Sequence, residues 1–418
     1  MGKKGKKGKE KAKGAAEEVV TTRQIIRERE RAMCPRLGDA SVRAERADAI
    51  RLECVYFKMR RAMLQQRENL DLSRANLGFV PEQLRTVAEL RHVVELDLSR
   101  NQLFGSDHVF ETIGELRNLR RLNLADNFLN GPLSTKSTLL ATLVEITLDC
   151  NQITALPENI GAWRGMKRFS VAKNALVAIP PSIFEWAELA YLNLRANKIK
   201  NIPVGPWYEL ETMYLGGNEL VLLDEEIGKL GALTELDLRS NSLTKLPDAL
   251  AQCTSLKKLH LGNNRISSVS PEILAGLADV EELHLYKNKL DQLPAEIGCL
   301  TKCHRLTLSS NNIRTLPETI STCTSLSELY INNCAKFSNM PSAAGALANL
   351  QELQAKKCPA LKALPSTAVG WTALRELDLR TAKKQVCKLP PELVTTLGAN
   401  NCVIRGGVQK GKKGGKKK

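Results

Sequence analysis

Leucine alternates with other residues in short bursts along most of the chain, and the bursts recur. In EELHLYKNKLDQLP, residues 281–294, Leu283, Leu285 and Leu290 interleave with His284, Tyr286 and two lysines before Leu293-Pro294 ends the run. Strict alternation over a few residues predicts a short strand with one buried and one exposed face. Closely similar bursts stand about 23 residues to either side. Self-similarity at that period marks stacked units that share one continuous core.

Aligning the chain on LxxLxLxxNxL places asparagine at Asn101, Asn127, Asn151, Asn174, Asn197, Asn218, Asn241, Asn264, Asn288 and Asn311. Cys334 and Cys358 continue the slot, and divergent copies put Ala75 and Ala382 there, giving fourteen turns spaced 21 to 26 residues apart. Many turns then read LPxxI, as in LPENI (156–160), LPAEI (293–297) and LPETI (316–320). The LxL leucines pack on the turns above and below. Each ladder asparagine can bond backbone groups of neighbouring turns that would otherwise be buried unpaired. Cysteine, a weak donor, can stand in that slot without any redox role. Fourteen strands at about 4.8 Å make a parallel sheet on the order of 65 Å long. The expected fold is an α/β solenoid, a horseshoe of about fourteen turns whose concave side is the sheet. The LPxxI segments return along the convex side as short helices or irregular turns.

A stack of this kind exposes apolar surface at both ends and needs caps. Residues 39–66 read as a helix, with Ile50, Leu52, Val55, Tyr56, Met59 and Met63 as the apolar side facing the first strand. A shorter Arg/Glu-rich helix is expected over 17–32, ending before Pro35, and 390–405 reads as one last half-turn. The organisation is a basic tail at 1–16, helices and cap at 17–66, the solenoid at 67–405 and a second basic tail at 406–418.

The outward positions form columns on the concave face. Between the paired leucines stand Asp71, Asp97, Asn123, Thr147, Ser170, Asn193, Tyr214, Asp237, His260, His284, Thr307, Tyr330, Gln354 and Asp378. The next outward column adds Arg195, Arg239, Tyr286, Asn332, Lys356 and Arg380. Turns seven to twelve therefore bring Tyr214, Arg239, His260, His284, Tyr286 and Tyr330 to one surface. Tyrosine and arginine anchor interfaces because they combine large area with a polar tip. These six are the candidate partner-binding residues; the plainer reading is ordinary amphipathic surface. A metal site is not expected, since His260 and His284 have only His304 as a third ligand and no carboxylate or thiol shares their column. Cys299-x3-Cys303-His304 has ligand-like spacing, but Cys303 takes a core leucine position. The chain has no GxxxxGK[ST], HExxH, GxSxG or kinase signature, so neither catalysis nor a cofactor is expected.

Charge adds one feature. The formal net charge is +16, and residues 1–14 and 408–418 each contribute +6, leaving the body almost neutral. Lys3, Lys4, Lys6, Lys7, Lys412, Lys413, Lys416, Lys417 and Lys418 sit among glycines with nothing apolar to bury, so disorder is expected there. Such ends seek an acidic surface: nucleic acid, anionic lipid or the acidic tails of tubulin. Nucleic-acid contact would rest on phosphates alone, for lack of stacking residues, and is not favoured. Membrane attachment lacks an apolar face, no stretch is long enough to span a bilayer, and Lys6 stands where a myristoylation motif needs Ser or Thr. The N-terminus has no apolar secretory core. The eleven dispersed cysteines read as reduced thiols in an intracellular protein. Aromatics are only 4% of the chain, so leucine must fill the core.

The repeat resembles the leucine-rich repeat superfamily over roughly 67–400. Its LPxxI form resembles the intracellular class that includes plant intracellular Ras-group-related proteins and the animal Ras-pathway scaffold. That resemblance implies binding of partner proteins, small GTPases and phosphatase subunits among them, without catalysis; no phosphatase-docking [RK]VxF is present. The lysine–glycine start on a lone repeat chain also resembles axonemal proteins of algae and protists. The expectation is a non-catalytic scaffold in the cytoplasm and cytoskeleton, in a cilium or flagellum. The alternatives are a signalling scaffold for a small GTPase or phosphatase, and a nuclear or ribonucleoprotein adaptor.

Overall fold

A computed structural model of the protein describes residues 40–381 and 387–406, with residues 40–50 described by their backbone. The expected helix over 17–32, both lysine–glycine ends and Ala382 lie outside the described residues.

The leucine bursts form three-residue strands that pair in one parallel sheet of fifteen, ordered as they occur in the chain. We number them β1 to β15. They begin with β1 (Asn69–Asp71), and β6 is Tyr191–Asn193, β7 Thr212–Tyr214 and β8 Glu235–Asp237. Next come β9 (Lys258–His260), β10 (Glu282–His284), β11 (Arg305–Thr307), β12 (Glu328–Tyr330) and β13 (Glu352–Gln354). The last two are β14 (Glu376–Asp378) and β15 (Val403–Arg405). Register never slips. Leu236, Leu259, Leu283, Leu306 and Leu329 stand opposite one another, and so do Asp237, His260, His284, Thr307 and Tyr330. A one-residue shift would turn every leucine to solvent, which is why the register is fixed. The fold is a leucine-filled solenoid, a horseshoe with the sheet on its concave side and short 3-10 helices on its convex side.

Two local devices turn the chain off each strand. The residue before the ladder position is left-handed in turn after turn, at Ala196 (φ 56°), Ser240 (56°), Asn263 (60°), Lys287 (52°) and Ser310 (59°), with glycine at Gly217 (74°). The ladder residue then knits turns together. Asn288 donates to the carbonyls of Leu285 (3.0 Å) and Leu261 (2.9 Å), one turn back, and its Oδ1 accepts the Ile266 amide at 3.0 Å. Asn311 repeats this with Leu308, Leu285 and Leu290. In the same slot the Cys334 thiol donates to Leu308 O at 3.4 Å and the Cys358 thiol to Ile331 O at 3.0 Å.

The convex side carries a second ladder that the leucine pattern does not announce. Trp163, Trp186, Trp207 and Trp371, all the tryptophans of the chain, are buried, and each indole N–H donates to a backbone carbonyl of the preceding turn. Cys253 and Cys323 do the same with their thiols, at 3.2 Å. Small residues let these turns approach: a Cβ at Gly298 would lie 2.6 Å from the Thr319 carbonyl, and one at Gly345 2.3 Å from that of Thr367.

At the N-terminal end the helix Ala40–Gln65 covers the first turn. Val55, Met59 and Ala62 are buried and Met63 partly so, but Leu52 and Tyr56 are exposed, which corrects their expected place in the cap. Buried positions 55, 59 and 62 follow the helical period of one face, whereas Tyr56 is turned about 100° from Val55. Leu52 lines a shallow surface groove against the first turn with Tyr56 and Phe79, open to solvent on its other side. The side chain of Ile50 lies outside the described ones. At the other end, the helix Pro391–Ala399 buries Leu393 and Leu397, and β15 adds one strand beyond the fourteen expected. Among the described residues all ten cysteines are free thiols.

Candidate protein-binding face

All six candidate residues point away from the core on one face of the sheet, partly buried rather than fully exposed. Most are bound into networks with neighbours from other turns, and many of those neighbours sit in a column that sequence reading passed over: the residue before the first strand leucine. Period-two alternation puts it on the same face. It holds Tyr191, Glu235, Lys258, Glu282, Arg305, Glu328, Glu352 and Glu376.

The first network centres on Asp237, whose side chain is 0% exposed. Arg195 reaches it from β6's turn, and Arg239 grips it with Nε and a terminal nitrogen, each at 3.0 Å. Burial alone would raise this carboxyl, yet the hydrogen bonds from Arg239 and Arg195 outweigh it and hold the group below the usual carboxylate range. Glycine at Gly216 makes the geometry feasible, since a Cβ there would meet the Asp237 carboxylate at 2.9 Å. Two cations on one anion leave the cluster net positive. Aromatic rings flank it: the Arg195 guanidinium lies 4.5 Å over Tyr214, which meets Tyr191 edge to face, and Arg168 lies 4.2 Å over Tyr191. The Tyr214 hydroxyl bonds Glu235, and burial with that carboxylate pushes its pKa up to about 12.

The second network is the histidine pair. The His260 and His284 rings stack at 4.6 Å with 12° between their planes. His284 spans Glu282 (3.2 Å) and Thr307 (3.1 Å), whereas His260 Nδ1 is buried with no hydrogen-bond partner. Burial pushes the His260 pKa down to about 4, helped by His284 and Arg239; His284 is lowered by burial against the pull of Glu282. Both imidazoles are therefore neutral near pH 7. Glu282 and Glu235 approach this pair, but among the described residues no group of three His, Cys, Asp or Glu is placed to hold a metal ion. Cys303 is buried, and burial pushes its thiol up to about 12.

Tyr286 lies across Gly262, where a Cβ would sit 2.3 Å from the ring, and its hydroxyl interacts with Arg239, which attaches it to the first network. Farther along, Arg305 grips Glu328 at 2.7 and 2.8 Å, and the Tyr330 hydroxyl stands between Glu328 (2.7 Å) and Glu352 (2.8 Å). The result is a preorganised surface of rings and paired charges.

The Leucine rich repeat family model matches residues 208–264 and 254–313. A leucine-rich repeat protein of Leptospira interrogans, solved as a structure, is 27% identical with a TM-score of 0.64, over 83% of this chain and 98% of that one. The chain carries leucine-rich repeats and has the leucine-rich repeat fold. An internalin of Listeria monocytogenes shares the fold at 19% identity and a TM-score of 0.64, over 85% of this chain and 95% of its own. The plant peptide hormone receptor RGFR1, solved in complex with RGF2, is 26% identical with a TM-score of 0.61, over 75% of this chain and 55% of the receptor. Comparison with curated protein sequences gives no match. The leucine-rich repeat fold suits protein binding, and no helix among the described residues is long and apolar enough to cross a membrane.

Proposed function

We propose that this leucine-rich repeat protein is a non-catalytic scaffold that docks a partner protein on the concave face of turns seven to twelve. The observation that supports this most is the linkage of Tyr214, Arg239, Tyr286, His260, His284 and Tyr330 across successive strands. Rings held this way present large contact area with little rotamer entropy left to lose. RGFR1, solved with RGF2, shows a similar solenoid with a bound partner. The lysine–glycine ends supply a second attachment, to an acidic surface such as tubulin tails, and the setting we propose is the cytoskeleton of a cilium or flagellum. Those ends carry 12 of the 16 net charges, which is the support for that setting.

The test is affinity capture of the full chain from native cells with quantitative mass spectrometry, beside a Gly262→Ala variant. The added methyl displaces Tyr286 without touching the core. Loss of a defined set of captured proteins, with an unchanged circular dichroism melt, supports docking here. Axonemal proteins in that set support the setting, and GTPases or phosphatase subunits replace it with signalling. Identical capture by both chains overturns the site.

A further inference from the structure

The concave face is electrostatically lopsided across its width. On the side where the chain leaves each strand, every turn presents two consecutive residues, the last outward position and the left-handed residue after it. From turn five to turn fourteen these twenty positions hold Lys173, Arg195, Arg239, Lys287, Lys356, Lys357 and Arg380, and no aspartate or glutamate. Asp237 and Asp378, two residues before Arg239 and Arg380 and buried, neutralise two of the seven, leaving +5. The next position beyond the ladder adds Lys198, Arg265 and Lys289 against Glu219. The opposite margin reverses the sign from β8 to β14, with Glu235, Glu282, Glu328, Glu352 and Glu376 against Lys258 and Arg305. The near-neutral body thus hides a basic rail beside an acidic one.

We infer that the basic margin is the seat of an acidic, extended polypeptide segment of the partner, lying along the solenoid axis across the strands. The inference deepens the proposed docking face and rests on it. Ten turns at about 4.8 Å make the rail on the order of 45 Å long, the reach of about thirteen extended residues. Cations spaced one to three turns apart suit carboxylates placed at intervals along such a segment, with turns eleven and twelve supplying uncharged serine and asparagine. Charge complementarity of this kind orients the partner as well as attracting it. The acidic rail rejects the same segment one step sideways, so the two margins together fix its lateral position. A folded basic partner is repelled from the rail, and a nucleic acid finds phosphate contacts but only Tyr286 for stacking within it.

The test uses the full chain and a twelve-residue peptide of alternating glutamate and glycine, labelled with fluorescein and carrying one benzoylphenylalanine for photocrosslinking. The variant is Lys173→Gln/Lys287→Gln/Lys356→Gln/Lys357→Gln. It spares the arginines that hold buried Asp237 and Asp378, so folding is expected to survive, and circular dichroism checks that. At about 0.1 M salt the variant is expected to bind at least tenfold more weakly, with wild-type crosslinks on turns five to fourteen. Equal affinity of the two proteins overturns the rail. So do crosslinks confined to residues 1–16 and 406–418. A twelve-nucleotide RNA that binds the rail while the peptide does not also overturns the acidic-peptide reading. Where the rail fails but Gly262→Ala still loses captured proteins, the docking face stands and only its partner chemistry falls. Where both fail, the proposed function falls with it.

Discussion

At the scale of single residues, the open question in EELHLYKNKLDQLP was what a histidine and a tyrosine do between core leucines. His284 stacks on His260, and Tyr286 closes over Gly262 to reach Arg239. Alternation placed both side chains on the outer face, and the strand register agrees. Their partners were not legible, because ring stacking and hydroxyl reach depend on rotamers and on a glycine one turn away. A pH prediction belongs here. Burial lowers the pKa of folded His260 to about 4 from the ordinary 6.5, so between those values the unfolded chain binds the proton and the folded one does not. Stability therefore rises with pH across that window: the contribution is present above about 6.5 and lost as pH falls through about 4. Each tenfold change in proton affinity is worth roughly 1.4 kcal/mol, so the loss between pH 7.0 and 4.5 is on the order of 2 kcal/mol. Urea melts at those two pH values should show it, and His260→Asn should flatten the difference. An unchanged slope in that variant would remove the histidine from the account. The loss of stability below pH 4 belongs instead to carboxylates such as Asp237, whose pKa is lowered.

At the scale of the element, the repeat depends on what fills the ladder slot. The consensus asparagine was plain in the sequence and so was its chemistry, since one side chain must donate and accept at a fixed place in every turn. The convex ladder was not plain. Trp163, Trp186 and Trp207 stand 23 and 21 residues apart, at the repeat period, yet only the fold reveals that each indole N–H serves the preceding turn. Cysteine occupies both ladders, as Cys334 and Cys358 in one and Cys253 and Cys323 in the other. A thiol donates as an amide does but accepts poorly, and that predicts a ranking. Asn311→Ala strips the Leu290 amide of its acceptor and takes one of two donors from each of the Leu285 and Leu308 carbonyls, which keep Asn288 and Cys334. With an orphaned buried amide costing about 1–3 kcal/mol and each lost bond about 1 kcal/mol, the loss should be about 3 kcal/mol. Asn311→Cys keeps a donor toward the preceding turn and should cost about half as much. Chemical denaturation of the three proteins gives the order; equal losses for alanine and cysteine would mean that the thiol bonds contribute nothing.

For the whole molecule, stability is shared between neighbours rather than pooled, because the backbone and core contacts of each turn run to the turns beside it, with the Arg195–Asp237 pair reaching one turn farther. The repeat count was readable to within one strand, because β15 follows a helix and lacks the ladder motif that defines a turn. The caps were less legible: hydrophobic spacing alone marked Leu52 and Tyr56 as cap residues, but only where the first turn ends decides which helical positions are covered. A one-dimensional stack makes the ends the weak points. Met59→Asp puts an unpaired charge into a contact that is 3% exposed, so the helix Ala40–Gln65 should detach and the first turns should fray. Hydrogen exchange is the discriminating measurement. The Leu72 and Leu98 amides, bonded to Asp97 O and Asn123 O, should lose protection by tenfold or more, while the Leu285 amide on Thr307 O stays as in the wild type. Equal loss at all three would show that the solenoid unfolds as one cooperative block, and the nearest-neighbour account would be wrong. If the gradient is found, a capping defect leaves turns seven to twelve standing. Partner capture by Met59→Asp should then match the wild type even as its melting curve broadens, which separates the integrity of the concave face from that of the chain's end.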